Sequence, residues 1–418
     1  MPLKKYCLLT YISLIINVLY AQNKILFDAS KAETAGNADW IIDADTFNLR
    51  WTTTATFAGT EANAQRIPTP DQSLITATTP ETFWKGAISA WAVDCVKKGF
   101  IVESLPYTGR ITFNDATNSQ DLSNYKVFVV CEPNIAFTAN EKTAIIAFVK
   151  AGGGLFMVGD HKTSDRNNDG KDSPVIWNEL MNDNGSVVNP FGISFENNDI
   201  GNNFSNNLAV LPSNDPILYG SYGNVTQLAF HAGSSIAINK TANPTAHGVV
   251  YQSGVSNTGT TGMMCAAANY GKGKVVAIGD SSVPDDGTGD TGDNLYFGYT
   301  GDAYATDNGQ KLVMNATLWL ASNGDIASSA TDLQSSFSVK IKTNIVSDVL
   351  TFSVYEAENA TVQIHVFNAF GSLVLSKKRE ILRGPDDTIL DIKHLPSGIY
   401  FLNAWNGKAQ IVEKFIKN

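Results

Sequence analysis

The chain has 418 residues, 43% of them hydrophobic and 17% charged, with a formal net charge of −10 at pH 7. That balance argues against a nucleic-acid backbone as the main partner, because such binders concentrate Lys and Arg. It fits an exported protein able to attract cations, and the length points to two or three domains. The first residues, MPLKKYCLLTYISLIINVLYAQN, carry Lys4 and Lys5, then an apolar run from Cys7 to Leu19, then Ala21 before a cut at Gln22. This pattern predicts a secretory signal peptide over residues 1–21. The run is shorter than the ~20 residues a membrane span needs, and no basic stop-transfer follows it. No later segment is long and apolar enough to span either, so the mature chain is expected to be soluble. Cys95, Cys131 and Cys265 then remain, an odd number that points to buried thiols rather than a disulfide framework.

Between residues 22 and 321, short apolar runs alternate with helical patterns. KILFD (24–28), FIVES (100–104), KVFVVC (126–131), LFMV (155–158) and KVVAI (274–278) read as strands. PETFWKGAISAWAVDCVKKG (80–99) has a helical period, with Pro80 at its start and Gly99 at its end. In TANEKTAIIAFVKAGG (138–153), Thr138 and Glu141 predict a capping box and Gly152 a C-cap. NGQKLVMNATLWLA (308–321) is a last helix. Alternating helices and continuous apolar strands predict an α/β fold, with a parallel flavodoxin-like sheet covered by helices on both faces. Residues 170–270, rich in Asn, read as an irregular insertion or second β-rich subregion, too long for one structureless loop.

In such sheets ligands bind beyond the carboxyl ends of the strands. Acids stand there repeatedly: Asp28, Glu103, Glu132, Asp160 with His161, and Asp280. Carboxylates gathered in one cleft repel, and a bound cation relieves them. Asp28, Asp160, His161 and Asp280 are therefore expected to hold a divalent metal of unassigned identity, with His231 or Glu33 as general base. Asn37 or Asp39 reads as a helix cap, and His247 as a surface residue. In SDRNNDGKDS, the residues Asp165, Asn167, Asp169 and Gly170 fit the first half of a calcium loop, with Ser173 at its ninth position. Ile176 occupies the position where a bidentate Glu belongs, so the loop is partial. The competing reading is a run of Asx-turns. GDSSVPDDGTGDTGDN (279–294) reads as a second acidic loop, with Asp290 and Asp293 solvated. A serine nucleophile at Ser281 or Ser282 is conceivable, but the G-x-S-x-G elbow is missing. A likeness of GDSS to the GDS motif of some lipases and esterases is set aside, because that motif comes early in those domains.

Residues 337–418 change texture. LTFSVY, TVQIHVFN and SLVLSKKR alternate with period two, with turn residues between them, and predict a small C-terminal β-sandwich after a linker at 322–336. The pattern LPSGIYFL, a Gly-containing turn and a basic KFIKN, with Leu395, Pro396, Gly398, Tyr400, Lys414 and Lys417, resembles the C-terminal sorting domain of the Bacteroidetes type IX secretion system. Asn368 and Gly371 in HVFNAFGSLV fit the same family. The resemblance implies contact with the type IX machinery through residues 337–418, and a secreted or outer-membrane cell-surface protein. TANEKTAIIAFVKAGGGLFMVGD, and GKGKVVAIGD with LVMNATLWLA, resemble the helix–Gly–strand units of the class I glutamine amidotransferase-like superfamily over residues 24–160 and 270–321. That implies a fold and not glutamine hydrolysis, since the G-x-C-x-G elbow is missing and Cys131 stands in VCEPN. Two functions follow as expectations. One is a metal-dependent hydrolase of an extracellular ester, phosphoester or glycan. The alternative is a non-catalytic, calcium-stabilised surface module binding polysaccharide or protein, with Trp40, Trp51, Trp84 and Trp91 as aromatic platforms.

Overall fold

The computed structural model describes residues 24–31, 40–43, 70, 72–288, 296–301, 308–322, 337–356, 359–382, 384–407 and 410–418. The predicted leader, Glu33, Asn37, Asp39, Trp51, Asp290, Asp293 and residues 323–336 lie outside them. The chain divides into two compact units, one ending at Asp325 and the other starting at Ile326.

In the first unit, β1 (Lys24–Asp28), β2 (Ile101–Leu105), β3 (Val127–Cys131) and β4 (Gly154–Val158) pair in parallel in the order β2-β1-β3-β4. Their side chains alternate between two cores. Ile25, Phe27, Val129 and Val158 enter one, and Leu26, Phe128, Val130 and Met157 the other. Burial on both faces explains why these strands are continuous apolar runs. Helix α1 (Ser89–Lys97) and helix α4 (Asn308–Ala321) supply Trp91, Leu312 and Met314 to the first core. Helix α2 (Ala139–Ala151) and helix α3 (Ser173–Asn182) supply Ile145, Phe148, Ile176 and Trp177 to the second. The capping box of Thr138 and Glu141 is formed, and Gly152 caps α2 at a φ of 128°.

The expected all-parallel flavodoxin-like sheet is not what forms. The segment read as an insertion contributes five strands to the same sheet: β5 (Ile193–Phe195), β6 (Asn207–Leu208), β7 (Ile236–Ile238), β8 (His247–Tyr251) and β9 (Met263–Tyr270). Among the described residues the sheet has ten strands, and its main path runs β2-β1-β3-β4-β10-β9-β7-β5, where β10 is Gly273–Ile278. β10 is parallel to β4, but β9 is antiparallel to β10, and the strands beyond it are antiparallel too. The reversal has a local cause. Only Gly271 and Lys272 separate β9 from β10, too few residues for a parallel crossover, and Gly271 takes a φ of 60°. The described fold is a mixed, mostly β-sheet architecture, 34% strand against 16% helix.

The second unit holds two sheets. β11 (Phe337–Ile341), β13 (Val349–Glu356) and β16 (Gly384–Asp391) form one; β12 (Ile345–Val346), β18 (Gln410–Lys417), β17 (Gly398–Trp405), β14 (Ala360–Asn368) and β15 (Leu373–Ile381) form the other. Their period-two alternation places Phe352, Val354, Ile364, Val366, Leu402 and Phe415 in one core.

Candidate functional site

The carboxyl ends of β3, β4 and β10 bring three acids together. β4 and β10 pair in register up to Val158 and Ile278, so Asp160 and Asp280 each stand two residues past the end of adjacent strands. Glu132 is the first residue past β3, and its amide donates to Val158 O at 3.0 Å. Glu132 holds a φ of 43°, a left-handed conformation that is uncommon for a residue with a side chain and collects at functional positions. Gly279 lets a neighbouring loop close over this edge, because a Cβ there would meet Ser234 O at 1.9 Å.

Each acid has a different set of partners. Asp280 Oδ2 accepts from the amides of His231 (2.7 Å) and Ala232 (3.2 Å), and its Oδ1 from Ser282 N (2.8 Å). Asp160 is held at its backbone, where its amide donates to Ser173 Oγ at 2.8 Å and its carbonyl accepts from Ser234 Oγ at 2.6 Å. Its Oδ1 lies 3.1 Å from His161 Nδ1. Glu132 Oε2 accepts from Ser281 Oγ at 2.8 Å. Arg166 supplies positive charge to two of them, with Nε 3.6 Å from Glu132 Oε1 and Nη2 3.6 Å from Asp160 Oδ2. It is positioned by Asn134, whose side-chain oxygen accepts from Arg166 N at 2.8 Å.

Glu132 is fully buried and Asp160 only 4% exposed. Burial, and then the charge of Asp160, push the Glu132 carboxyl well above its ordinary range, against the pull of Arg166 and Ser281. Burial and the charge of Asp280 push Asp160 the same way. The two carboxyls face each other, so one proton between them replaces a repulsion with a hydrogen bond.

The sequence-derived residues divide. Asp160, His161 and Asp280 converge as expected, and His231 reaches Asp280, though through its backbone amide. The ring of His231 stacks on Tyr296 at 4.5 Å between centroids and meets Phe204 edge-on at 5.8 Å. Asp28 is spent on its own turn, accepting from Ser30 N, Ser30 Oγ and Lys31 N, and burial pushes its carboxyl up to about 6. Glu103 lies inside β2 and pairs with Lys24 at 2.6 Å. In the acidic loop, Asp165 accepts from the amides of Asp169 (3.1 Å) and Gly170 (2.8 Å), Asn167 Oδ1 from that of Asp169 (3.1 Å), and Asp169 from that of Lys171 (2.9 Å). These are the Asx-turn contacts of the competing reading. Asp286 turns away to α1, accepting from Ala90 N and Ser89 Oγ, each at 2.7 Å. Trp40, Trp84 and Trp91 are core residues, not platforms. Among the described residues, Cys95, Cys131 and Cys265 are buried and form no disulfide. Among the described residues, no three His, Cys, Asp or Glu side chains form a group able to hold a metal. Sequence reasoning does not reach Arg166 or the Ser281–Glu132 bond; the available signal for Arg166 is an arginine directly after Asp165 in an acidic loop.

Residues 344–418 match the secretion system C-terminal sorting domain family. No curated protein matches the chain. Among solved structures, the N-terminal domain of mmIFT52 is 14% identical, covering 72% of this chain and 99% of its own, with a TM-score of 0.40. Dimeric latent PorU from Porphyromonas gingivalis is 16% identical over 21% of this chain and 10% of its own, with a TM-score of 0.18. A DUF3244 family protein with an immunoglobulin-like β-sandwich from Bacteroides vulgatus is 12% identical over 20% of this chain and 96% of its own, at 0.15. Similarities this low carry no inference about the first unit, and the comparisons lend no support to its amidotransferase-like resemblance. No helix among the described residues is long and apolar enough to cross a membrane. The C-terminal unit is a type IX sorting domain, and the protein is secreted or displayed at the outer-membrane cell surface.

Proposed function

We propose that the first unit is a hydrolase of an extracellular ester, phosphoester or glycan, working through the carboxyl pair Glu132–Asp160. The observation that supports this reading is the burial of two facing carboxyls beside one guanidinium at the carboxyl edge of the parallel strands. A pair that shares one proton offers an acid and a base side by side, which is the requirement of hydrolytic proton transfer. The metal expected at Asp28, Asp160, His161 and Asp280 is not carried into the proposal. Asp28 and Asp280 give their oxygens to backbone amides, and no ligand group of three forms among the described residues. Glu132 takes the base role expected of His231 or Glu33: the His231 ring stacks on Tyr296 and meets Phe204 edge-on, and Glu33 lies outside the described residues.

The test is turnover of chromogenic ester, phosphoester and glycoside substrates by the full secreted chain. Glu132→Gln and Asp160→Asn should each lower kcat by about 100-fold or more, the usual contribution of a positioned acid or base, with Tm held or raised. Absence of turnover by the wild type on all three classes sinks the reading. The non-catalytic alternative starts from the spacing of Asp165, Asn167, Asp169 and Gly170 alone, since the contacts among them are those of Asx-turns. In that reading the loop holds calcium and the unit binds polysaccharide or protein, and chelation should lower Tm.

A further inference from the structure

We propose that Ser281 is the nucleophile of this site and that its substrate is a carboxylic ester or amide. The inference rests on the hydrolase reading above and narrows it, because phosphoester or glycoside hydrolysis by a carboxyl pair needs no serine. Ser281 stands three residues past β10, where Gly279 and Asp280 turn the chain, and its Oγ donates to Glu132 Oε2 at 2.8 Å. The other oxygen of Glu132 is buried with no conventional hydrogen-bond partner and lies on the side of Arg166. Asp160 faces Glu132 and is anchored through its own backbone by Ser173 and Ser234. The three side chains therefore form a chain of hydroxyl, carboxylate and carboxyl. A serine hydroxyl becomes a nucleophile when an adjacent base accepts its proton and a third group orients that base. Next to Ser281, Ser282 Oγ is also buried without a partner, so the turn after β10 holds polar capacity that the fold itself leaves unused.

The reaction balances within these groups. Ser281 Oγ forms a bond to the substrate carbonyl carbon as its proton passes to Glu132 Oε2. The tetrahedral intermediate collapses, the bond to the leaving oxygen or nitrogen breaks, and Glu132 returns the proton to that atom. A water then attacks the acyl-serine, gives a proton to Glu132, and the acid departs as Ser281 recovers it. Attack starts from the form of the singly protonated pair in which the shared proton sits on Asp160 and Glu132 is ionised, and Asp160 is a positioning residue. Asp280 and His161 face Asp160, with His231 beyond Asp280, so activity should require the singly protonated pair and fall on both the acidic and the alkaline side.

The experiment treats the full secreted chain with a fluorophosphonate, followed by peptide mass spectrometry, and follows hydrolysis of p-nitrophenyl acyl esters. The expected result is one adduct on Ser281 and a burst of one equivalent of nitrophenol. Glu132→Gln should slow labelling at least 100-fold and Asp160→Asn should shift its pH profile. Ser281 is only 4% exposed, so the adduct on wild-type protein also reports that substrate can reach it. If Ser281→Ala does not fold, Ser281→Cys, close in size, should lose fluorophosphonate labelling and gain labelling by a thiol reagent. No adduct, or an adduct elsewhere, overturns the nucleophile. If esters, phosphoesters or glycosides are still turned over then, the carboxyl-pair hydrolase survives without it. If none is turned over, both readings fail.

Discussion

Among the described residues of the sorting domain, the buried polar side chains are Thr388 and Lys417; its core is otherwise apolar. The first unit closes over Asp28, Asp94, Glu103, Glu132, Asp160, Asp280, Asp285 and Asp286. The sandwich is specified by which residues alternate, and few titratable groups are buried in it. The first unit keeps charges that need partners, and the partners separate two kinds of acid. Asp94 accepts from Tyr299 OH (2.8 Å) and Gln310 Nε2 (2.7 Å), and Asp286 from the start of α1. These acids meet donors and serve the fold. Glu132 and Asp160 meet each other, an arrangement that folding alone does not favour.

The largest expected effect tests the apolar side of that contrast. Phe415→Ala, at a fully buried site in β18, should cost the sorting domain roughly 3–5 kcal/mol, and hydrogen exchange read peptide by peptide should rise in residues 337–418 while the first unit keeps its protection. The second tests the charged side. A carboxyl whose folded pKa is raised holds its proton where the unfolded chain has released it, so stability falls as pH rises through that window. For Asp28, flanked by Lys31 and, through it, by Glu141 at 3.0 Å, the window runs from the ordinary 3.8 to about 6. Its full ionisation costs about 3 kcal/mol. Glu132, Asp160 and Asp285 extend the fall to higher pH. Exchange protection of the first unit should therefore drop between pH 4 and 7 while that of the sandwich holds. Equal drops in both units would break the comparison. A smaller effect is expected from Asp286→Ala, which strips the cap from α1 and should cost roughly 1–2 kcal/mol by urea denaturation. The smallest separates the two readings of the acidic loop: if Asp165–Asp169 is a set of Asx-turns alone, adding chelator should leave Tm unchanged, and a clear fall in Tm would restore calcium.

How much of this was legible in the sequence follows from the range of the interactions. The strands of the sandwich and β1 to β4 announce themselves through alternation or continuous apolar runs, which are local patterns. The antiparallel extension does not. β5 and β7 have three residues each, and β9, MMCAAANY, is built largely from small side chains with low strand preference. Those strands exist because distant partners accept them, and the parallel expectation held only for the strands that local pattern reveals. At the site, the strand-end rule found Asp160, His161 and Asp280. It could not show that Asp28 answers its own backbone, that the backbone amide of His231 donates to Asp280, or that Glu132 and Ser281, 149 positions apart, share a proton-bearing contact.

The cap on α1 has a consequence for the order in which the protein can be completed. The helix starts at Ser89, yet the carboxylate that meets the amide of its second residue, Ala90, belongs to Asp286, 196 residues later. Thr288, close to that carboxylate, also meets the chain at Gly86. A ribosome or a translocation pore delivers the amino end first, so α1 waits with open donors until the strand and turn after residue 273 have arrived. Contacts of such long sequence separation slow folding. The first unit should thus stay loose while most of it is already made, and lock late, when nearly all of its chain is available.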